Sequence, residues 1–228
     1  SAQQNPSVSG VVTDAADGSP MVGVSVQVKG TSSGTVTDID GNTYSTITVG
    51  GAVWMAENLR TTKYNDGTAI TTGLDNTAWT ANTTGAYSIY DNDPANNTTY
   101  GKLYNWYAVN TGKLAPAGWH VATEAEYTAL VNSLGGTSVA GGKMKSTSSL
   151  WNAPNTGASN SSGFSGLPSG YRGSGGGYVL IGEAAYLWTS TERNAGQGDY
   201  ILLSNDFASS NGNGATKSFG YAVRCVRN

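Results

Sequence analysis

The sequence has few charged side chains. Lys, Arg, Asp and Glu together make up 12% of the 228 residues, and the formal net charge is -3, whereas about a quarter of the residues in a typical soluble domain are charged. No run of Lys or Arg occurs. Nucleic acids and anionic membrane surfaces are bound through clustered positive charge, so we expect neither as a partner.

Cysteine and histidine are also scarce, with one of each, Cys225 and His120. A single cysteine excludes an internal disulfide, and one His with one Cys cannot supply the three or four N and S ligands of a zinc site. Cys225 lies among valines in YAVRCVRN and is predicted to be a small buried apolar side chain. His120 precedes a predicted helix, and we expect it to be buried and bonded to the backbone rather than to act in a catalytic triad.

Long apolar runs are absent from the sequence. No stretch approaches the roughly 20 apolar residues of a membrane-spanning helix, so we expect no membrane insertion. The opening SAQQNPSVSG lacks the apolar core of a signal peptide, and we interpret the chain as a mature form. Glycine is abundant instead, with 32 residues, and 13 Tyr and six Trp can fill a core. This composition predicts a folded, β-rich extracytoplasmic protein, secreted or on the cell surface.

Residues 1–37 alternate valine with small and polar residues. Val22, Val24, Val26 and Val28 follow with period two, which is typical of a strand with one apolar face. The segment resembles the carboxypeptidase-regulatory-like β-sandwich found in bacterial outer-membrane receptors and surface proteins, without the later strands of that domain. Whether it folds independently or serves assembly stays open.

Two helices are predicted in residues 38–228. In YGKLYNWYAVNTG (residues 100–112), large apolar side chains have helical spacing. In ATEAEYTALVNSLGG (residues 122–136), Thr123 and Glu126 form a capping box, apolar residues recur at i, i+3, i+4 and i+7, and glycine follows. No later helix longer than two turns is expected. The core side chains expected in the later part are Leu150, Trp151, Phe164, Leu167, Tyr186, Trp188, Ile201, Leu203, Phe219 and Val223.

Six phrases occur in the order and spacing of one family: DIDGNTYSTITVGGAVWMAENLRTTKYNDGTAI, YGKLYNWYAV, LAPAGWHVATEAEYTAL, GFSGLPSGYR, YLWTSTE and SFGYAVRCVRN. Over residues 38–228 the chain resembles the Fibrobacter succinogenes major paralogous domain. That domain is similar to the C-type lectin fold and its formylglycine-generating-enzyme-like branch. The resemblance implies an α+β, C-type-lectin-like fold with two helices and short antiparallel sheets, plus N-terminal β-strands. Because the enzymatic branch needs more than one cysteine, the lone Cys225 predicts a protein that is not an enzyme.

Carboxylates give weak signals for other chemistry. Glu183 and Glu192 lie in the C-terminal part, but nothing sets the separation that glycoside hydrolysis requires. No cofactor is expected. The oxygen-rich segments DIDGN (residues 38–42) and YDNDPANN (residues 90–97) leave a structural calcium ion as an alternative, although turns have the same composition without an ion.

The resemblance also implies a role for residues 170–222. Some lectin-like relatives are variable proteins of diversity-generating retroelements, in which mutagenesis at template adenines creates new binding surfaces in this part of the chain. Adenine mutagenesis of Asn codons cannot produce Glu or Gln, so Glu183 and Gln197 did not arise by this mutagenesis. Whether the region is diversified stays open.

Loops within residues 170–222 are predicted to display a binding surface for a glycan or protein ligand on a cell or phage surface. Tyr178 and Tyr200 would be aromatic platforms, and the GSGGG run a bare shelf beside them. The alternative is a structural or adhesive subunit of a pilus or another surface appendage. The candidate ligand-binding residues are Tyr178, Glu183, Arg193, Asn194, Gln197, Asp199, Ser204, Asn205, Asp206, Asn211, Asn213 and Thr216.

Overall fold

The structure, a computed structural model, describes residues 32–228. The valine-rich strand predicted at residues 22–28 lies outside the described residues. Within them the chain forms five α-helices and extensive sheets, a mixed α/β structure that is compatible with the predicted α+β class. The strands are β1 (Ser32–Thr37), β2 (Thr43–Val49), β3 (Ala52–Met55), β4 (Tyr87–Ser88), β5 (Leu103–Asn105), β6 (Trp119–Val121), β7 (Ser169–Arg172), β8 (Tyr178–Ile181), β9 (Ala184–Asn194), β10 (Gln197–Ser204), β11 (Ser210–Thr216), β12 (Gly220–Val223) and β13 (Cys225–Arg227). The helices are α1 (Asn76–Ala81), α2 (Pro94–Tyr100), α3 (Trp106–Val109), α4 (Glu124–Ser133) and α5 (Thr137–Met144).

The first sheet has five antiparallel strands in the order β1-β2-β3-β13-β6. Strand β2 buries Tyr44, Ile47 and Val49 against the core. The C-terminal strand β13 lies between β3 and β6, with Val226 opposite both Trp54 and His120. Because β1 pairs with β2, the last six residues of the predicted N-terminal segment belong to this sheet.

The second sheet has the order β11-β10-β9-β7-β12-β5-β4, with β8 paired to β7. Strands β9, β10 and β11 pair antiparallel, whereas β12 runs parallel to β9. Most of residues 170–222, in which the display loops are predicted, lie in these strands. They form strands because side chains such as Leu187, Ile201 and Leu203 alternate with more exposed ones and enter the core.

Helix α4 confirms the clearest prediction. The Thr123 hydroxyl accepts a hydrogen bond from the Glu126 backbone N–H at 3.2 Å, and the Glu126 carboxylate accepts one from the Thr123 N–H at 2.8 Å. The helix buries Tyr127, Leu130 and Val131 on one face. All of these signals lie within one turn or two of the chain, which is why the sequence alone is sufficient here.

The helix predicted at residues 100–112 is wrong in most of its length. Tyr100 ends α2, Leu103–Asn105 form strand β5, which pairs with β4 and β12, and Trp106–Val109 form the short helix α3. Tyr104 lies opposite Tyr87 on one side and Tyr221 on the other. Pairing with distant strands overrides the local helical spacing.

Helix α5 contradicts the prediction of no further helix longer than two turns. It contains Gly141 and Gly142, which weaken a helical pattern in a sequence. The structure requires both glycines because the helix packs directly on backbone. A Cβ would lie 2.1 Å from the Ser209 carbonyl oxygen at position 141, and 2.3 Å from the Gly157 carbonyl oxygen at position 142.

Two clusters of buried side chains form the core. Both draw residues from the two sheets: one packs α4 and α5 through residues such as Leu130 and Leu203, and the other includes Trp188. Cys225 is fully buried, as predicted. Four of the ten predicted later core side chains are only half-buried: Leu150, Leu167, Tyr186 and Phe219.

Arg224 is a fully buried cation that joins distant segments. Its guanidinium donates to the side chain of Asn58 at 2.7 Å and to the carbonyl oxygens of Met55, Phe164 and Ser165 at 3.0, 2.7 and 3.1 Å. Burial lowers the pKa of Arg224 to about 10, so the side chain stays charged at neutral pH. The C-terminal strands are thereby tied to the segment after β3 and to the loop before β7.

The GSGGG run forms the turn between β7 and β8 around another buried cation. Arg172 donates to the carbonyl oxygens of Gly176 at 2.9 Å and Leu74 at 2.8 Å, and its guanidinium lies 4.3 Å from the centre of the Trp79 ring. A Cβ on Gly176 would lie 2.5 Å from the Cα of Asn76. Gly176 is therefore packed against α1, whereas Gly175 and Gly177 are exposed and an added Cβ would meet nothing within 4 Å at either position.

Candidate functional site

The predicted ligand-binding residues fall on three parts of the second sheet. Arg193, Asn194, Gln197, Asp199, Asn213 and Thr216 lie toward the β9–β10 turn; Glu183, Ser204, Asn205, Asp206 and Asn211 lie toward the opposite end; Tyr178 begins β8. Gln197 and Ser204 are the first and last residues of β10. At about 3.3 Å per residue, they are roughly 23 Å apart. The predicted residues are therefore spread along the sheet rather than gathered at one point.

At the β9–β10 turn, the predicted polar side chains bond to one another. Arg193 Nε donates to Asp199 Oδ1 at 2.5 Å, and Asn194 Nδ2 donates to Gln197 Oε1 at 2.9 Å. Asn213 Oδ1 accepts the N–H of the following residue at 2.8 Å. These bonds fix the shape of the hairpin. The atoms that form them are therefore less available to a ligand than the sequence predicts.

The opposite end of the sheet is organised by Lys145. Its fully buried ammonium donates to the carbonyl oxygens of Thr156, Ser204 and Phe207 at 2.9, 2.6 and 2.8 Å. Burial lowers the pKa of Lys145 to about 8, while the three acceptors favour its charged form. The turn that carries Asn205 is therefore built around an internal cation.

The other predicted residues at this end also have structural bonds. Asn205 is buried, its N–H donates to the Glu183 carbonyl oxygen at 2.8 Å, and its side chain donates to the Ala153 carbonyl oxygen at 3.4 Å. The Asp206 N–H donates to the hydroxyl of Ser204 at 3.2 Å. Among the predicted residues at this end, Glu183, Asp206 and Asn211 are exposed.

Tyr178 is separate from both groups. Its hydroxyl donates to Asn92 Oδ1 at 3.1 Å, its ring centre lies 5.3 Å from that of Tyr90, and the Arg172 guanidinium lies 5.1 Å from its ring centre. These contacts place Tyr178 in the packing around the β7–β8 turn.

A contiguous group of aromatic rings covers one face of the second sheet, and we call it the tyrosine cluster. Tyr186 is central: its ring centre lies 4.7 Å from that of Tyr171, 5.4 Å from that of Tyr200 and 5.0 Å from that of Tyr221. Phe219 adjoins Tyr171 at 5.7 Å. Tyr221 is buried, whereas the other four rings are partly exposed. The sequence singled out only Tyr200 among them as a binding residue.

The cluster has unused hydrogen-bonding capacity. Among residues 32–228, no hydrogen bond joins the hydroxyls of Tyr171, Tyr186, Tyr200 or Tyr221 to a partner. Burial raises the pKa of Tyr186 to about 12 and raises the pKa values of Tyr200 and Tyr221 as well. These three phenols are therefore neutral at physiological pH, and each can donate and accept.

The lone histidine differs from its prediction. His120 is half-exposed, and its ring nitrogens contact side chains rather than backbone: Nδ1 lies 2.6 Å from Asn228 Oδ1, and Nε2 lies 2.8 Å from Glu126 Oε1. Burial raises the pKa of the Cys225 thiol, so this thiol is neutral at physiological pH. The histidine and the cysteine lie on paired strands, β6 and β13, within the first sheet.

The segments considered for calcium have protein donors on their carboxylates. Asp38 accepts from the hydroxyl of Tyr44 at 2.6 Å and from two backbone N–H groups of its own turn. Asp40 accepts from the N–H and the hydroxyl of Thr62, and Asp93 caps α2. Across the described residues, no group of three or more His, Cys, Asp or Glu side chains could hold a metal ion.

These features define a mixed α/β protein with two sheets and a partly exposed aromatic face. The chain belongs to the Fibrobacter succinogenes major domain family, whose sequence model matches residues 47–227. That match confirms the family resemblance and includes all five helices. No curated protein and no solved structure matches the chain at a significant level. None of the described helices is both long and apolar enough to cross a bilayer.

Proposed function

We propose that this protein is a non-enzymatic, extracytoplasmic binding protein that recognises a glycan or protein ligand through the tyrosine cluster. The observation that carries the proposal is the set of partly exposed rings whose hydroxyls have no partner within the described chain. An ordinary solvated sheet face carries small or charged side chains, whereas contiguous exposed aromatic area marks interaction sites.

The rings suit recognition because they are rigid and already in place. A tyrosine has only two side-chain torsions to immobilise, so it contributes a large contact area at a low entropic cost. Tyr221 and Trp188 lie beneath the exposed rings, with their centres 4.3 Å apart, and both are buried. This support holds the exposed rings before any ligand arrives, which favours affinity. The free hydroxyls then supply directional bonds to a ligand.

The proposal includes a C-type-lectin-like architecture for the mixed α/β fold. All five members of the tyrosine cluster fall within residues 170–222, the part of the chain for which the family resemblance implies ligand binding. Tyrosine is also among the residues that adenine mutagenesis of Asn codons can produce. A neighbouring reverse transcriptase gene, with a near-copy of this region that differs only at adenines, would support diversification; its absence would count against it.

The binding experiment uses a glycan array and a display library of cell-surface proteins, each probed with the full chain. Tyr186→Ser removes the central ring, and Tyr186→Phe removes only its hydroxyl. A buried aromatic contact at an interface contributes about 2 kcal/mol or more, so Tyr186→Ser should weaken capture about 30-fold. Tyr186→Phe should weaken it less. The matched control is Tyr107→Phe, which removes the hydroxyl of a half-exposed tyrosine outside the cluster.

The two arms separate the ligand classes. Binding confined to the array assigns a glycan, and binding confined to the library assigns a protein. Equal capture of the ligand by the wild type and by a folded Tyr186→Ser variant would show that the tyrosine cluster is not the binding surface. Thermal unfolding of each variant distinguishes a lost contact from a lost fold.

A further inference from the structure

Strand β11 borders the tyrosine cluster and gives it a polar edge. In the antiparallel pairing of β10 with β11, Tyr200 lies opposite Asn213 and Leu202 lies opposite Asn211. Residues directly opposite each other in such a pair point to the same face, with their Cβ atoms about 5 Å apart. The two asparagines therefore stand on the same face of the second sheet as the rings of the cluster.

The alternate positions of β11 are glycines because the other face of this strand is closely packed. A Cβ on Gly212 would lie 3.2 Å from Ile201 Cδ1, and a Cβ on Gly214 would clash with Arg193 Cδ. Side chains alternate between the two faces along a strand. The glycines therefore face the packed side, and the two asparagines face outward, where both are exposed.

Each asparagine keeps one polar atom for a ligand. Asn213 Oδ1 accepts from the Gly214 N–H at 2.8 Å, and Asn211 Nδ2 donates to the Ser209 hydroxyl at 3.2 Å. Within residues 32–228, Asn213 Nδ2 and Asn211 Oδ1 have no hydrogen-bond partner. The edge of the cluster thus offers one amide donor and one carbonyl acceptor.

A row of rings crosses the strands toward these asparagines. The ring centre of Tyr171 lies 4.7 Å from that of Tyr186, which lies 5.4 Å from that of Tyr200. The three tyrosines belong to β7, β9 and β10, which are neighbours in the sheet, and β11 follows β10. Three strand spacings of about 4.8 Å make the row about 14 Å long. A ligand that follows the row is extended and is longer than a single sugar ring.

This face carries little charge. Its paired positions on β10 and β11 are all uncharged: Gly198, Tyr200, Leu202, Asn211, Asn213 and Ala215. At one end Glu192 lies opposite Gly198, and its carboxylate accepts a hydrogen bond from the Lys217 ammonium. A charged group of a ligand would lose water here without meeting an unpaired opposite charge. Because about a quarter of the residues of a typical protein are charged, an uncharged glycan suits this face better than a protein does.

We propose that the ligand of the tyrosine cluster is an uncharged, linear oligosaccharide that lies across β7, β9, β10 and β11. The C–H faces of its sugar rings pack on the tyrosine rings, and its hydroxyls bond to the free phenol groups. At the β11 end, its hydroxyls accept from Asn213 Nδ2 and donate to Asn211 Oδ1. This inference rests on the proposed function, because it assigns the ligand class of the same surface.

The test probes the full chain with an array of linear oligosaccharides, from disaccharides to hexasaccharides. The neutral probes are chains of glucose, mannose and xylose, and the charged probes are chains of galacturonate and of glucosamine. At least one neutral hexasaccharide should bind with a Kd on the order of millimolar or below. Its disaccharide should bind about tenfold more weakly, because it cannot span the row. Calorimetry at about 0.1 M and about 1 M salt should give nearly the same Kd, because no ion pair forms.

Two variants test the polar edge. Asn213→Ala and Asn211→Ala should each weaken binding of the neutral hexasaccharide about fivefold, because each removes one hydrogen bond. Both side chains are exposed, so both variants should keep the Tm of the wild type. Asn132→Ala is the matched control. Asn132 is also exposed, but it lies on α4, which packs on the opposite face of the sheet, so this variant should bind as the wild type does.

Three results would overturn the inference: no binding of any neutral oligosaccharide, tighter binding of the charged oligosaccharides, or full binding by both Asn213→Ala and Asn211→Ala. The Tyr186→Ser variant distinguishes this failure from failure of the proposed function. If Tyr186→Ser loses capture of a protein and no neutral oligosaccharide binds, the surface is correct and the ligand class is wrong. If a neutral oligosaccharide binds equally to the wild type and to Tyr186→Ser, the proposed function itself is wrong.

Discussion

Replacing Lys145 with methionine removes one ammonium and leaves three backbone carbonyl groups without their donor. The donor is fully buried, and the acceptors belong to three separate stretches: the loop after α5, the end of β10 and the β10–β11 turn. Methionine has a similar length and no donor. The substitution therefore tests the hydrogen bonds with little change in packing volume.

The expected loss follows from the three acceptors. A buried polar group without a partner costs about 1–3 kcal/mol, and the lower end applies because water can reach part of a surface turn. Three groups then give a loss of about 3 kcal/mol in the free energy of unfolding. For a chain of this size the loss corresponds to a fall of about 6–12 °C in Tm.

Urea denaturation and thermal unfolding of Lys145→Met measure this loss. Lys143→Met is the control, because Lys143 lies on the same helix, is half-buried and donates to one carbonyl oxygen, that of Leu134, at 2.7 Å. Its loss should stay below about 1 kcal/mol. Equal losses in the two variants, or a loss below about 1 kcal/mol for Lys145→Met, would refute the assignment of the ammonium as the organiser of this turn.

Three further outcomes are expected. Arg224→Lys should lower the free energy of unfolding by about 2–4 kcal/mol in urea titrations, because one ammonium cannot reach the four acceptors of the guanidinium, whereas the exposed Arg227→Lys should change it by less than about 0.5 kcal/mol. Gly141→Ala should lower the free energy of unfolding by about 2 kcal/mol, because the new methyl group clashes with backbone, although alanine favours helices. Ser138→Ala on the same helix should leave this free energy nearly unchanged. An increase in stability for Gly141→Ala would contradict the close packing of α5. The free energy of unfolding should fall as the pH rises from about 10 toward 12. The reason is that tyrosines such as Tyr186, whose folded-state pKa is about 12, keep protons that the unfolded chain releases near pH 10. Tyrosinate absorbance followed during alkaline unfolding measures this effect, and a stability that does not change over this pH range would contradict it.

The sequence predicts those elements whose signals are local. Helix α4 has its cap, its apolar stripe and its terminating glycine within one short segment, and the structure confirms it. Strand β5 also lies in a segment whose apolar side chains have helical spacing, but its backbone pairs with β4 and β12. Strand β12 follows β5 by more than 100 residues. Spacing alone cannot reveal such a partner.

Buried cations were beyond sequence-based prediction. Lys145, Arg172 and Arg224 are each at most 1% exposed, although lysine and arginine are almost never fully buried without partners. Their partners are mainly backbone carbonyl oxygens, which carry no residue identity. A sequence can therefore show that Arg224 has apolar neighbours along the chain. It cannot show that backbone carbonyl groups from distant segments are available to accept its hydrogen bonds.

The alternation of side chains along a strand explains why the tyrosine cluster was partly predicted. Along β10, Tyr200 and Leu202 alternate with Ile201 and Leu203, and the latter pair enters the core beneath α4. Alternation identifies Tyr200 as a residue of the outer face. The neighbours that make it a site, Tyr186 and the other rings, come from strands whose order is β10-β9-β7-β12, and that order follows from long-range pairing rather than from any local signal.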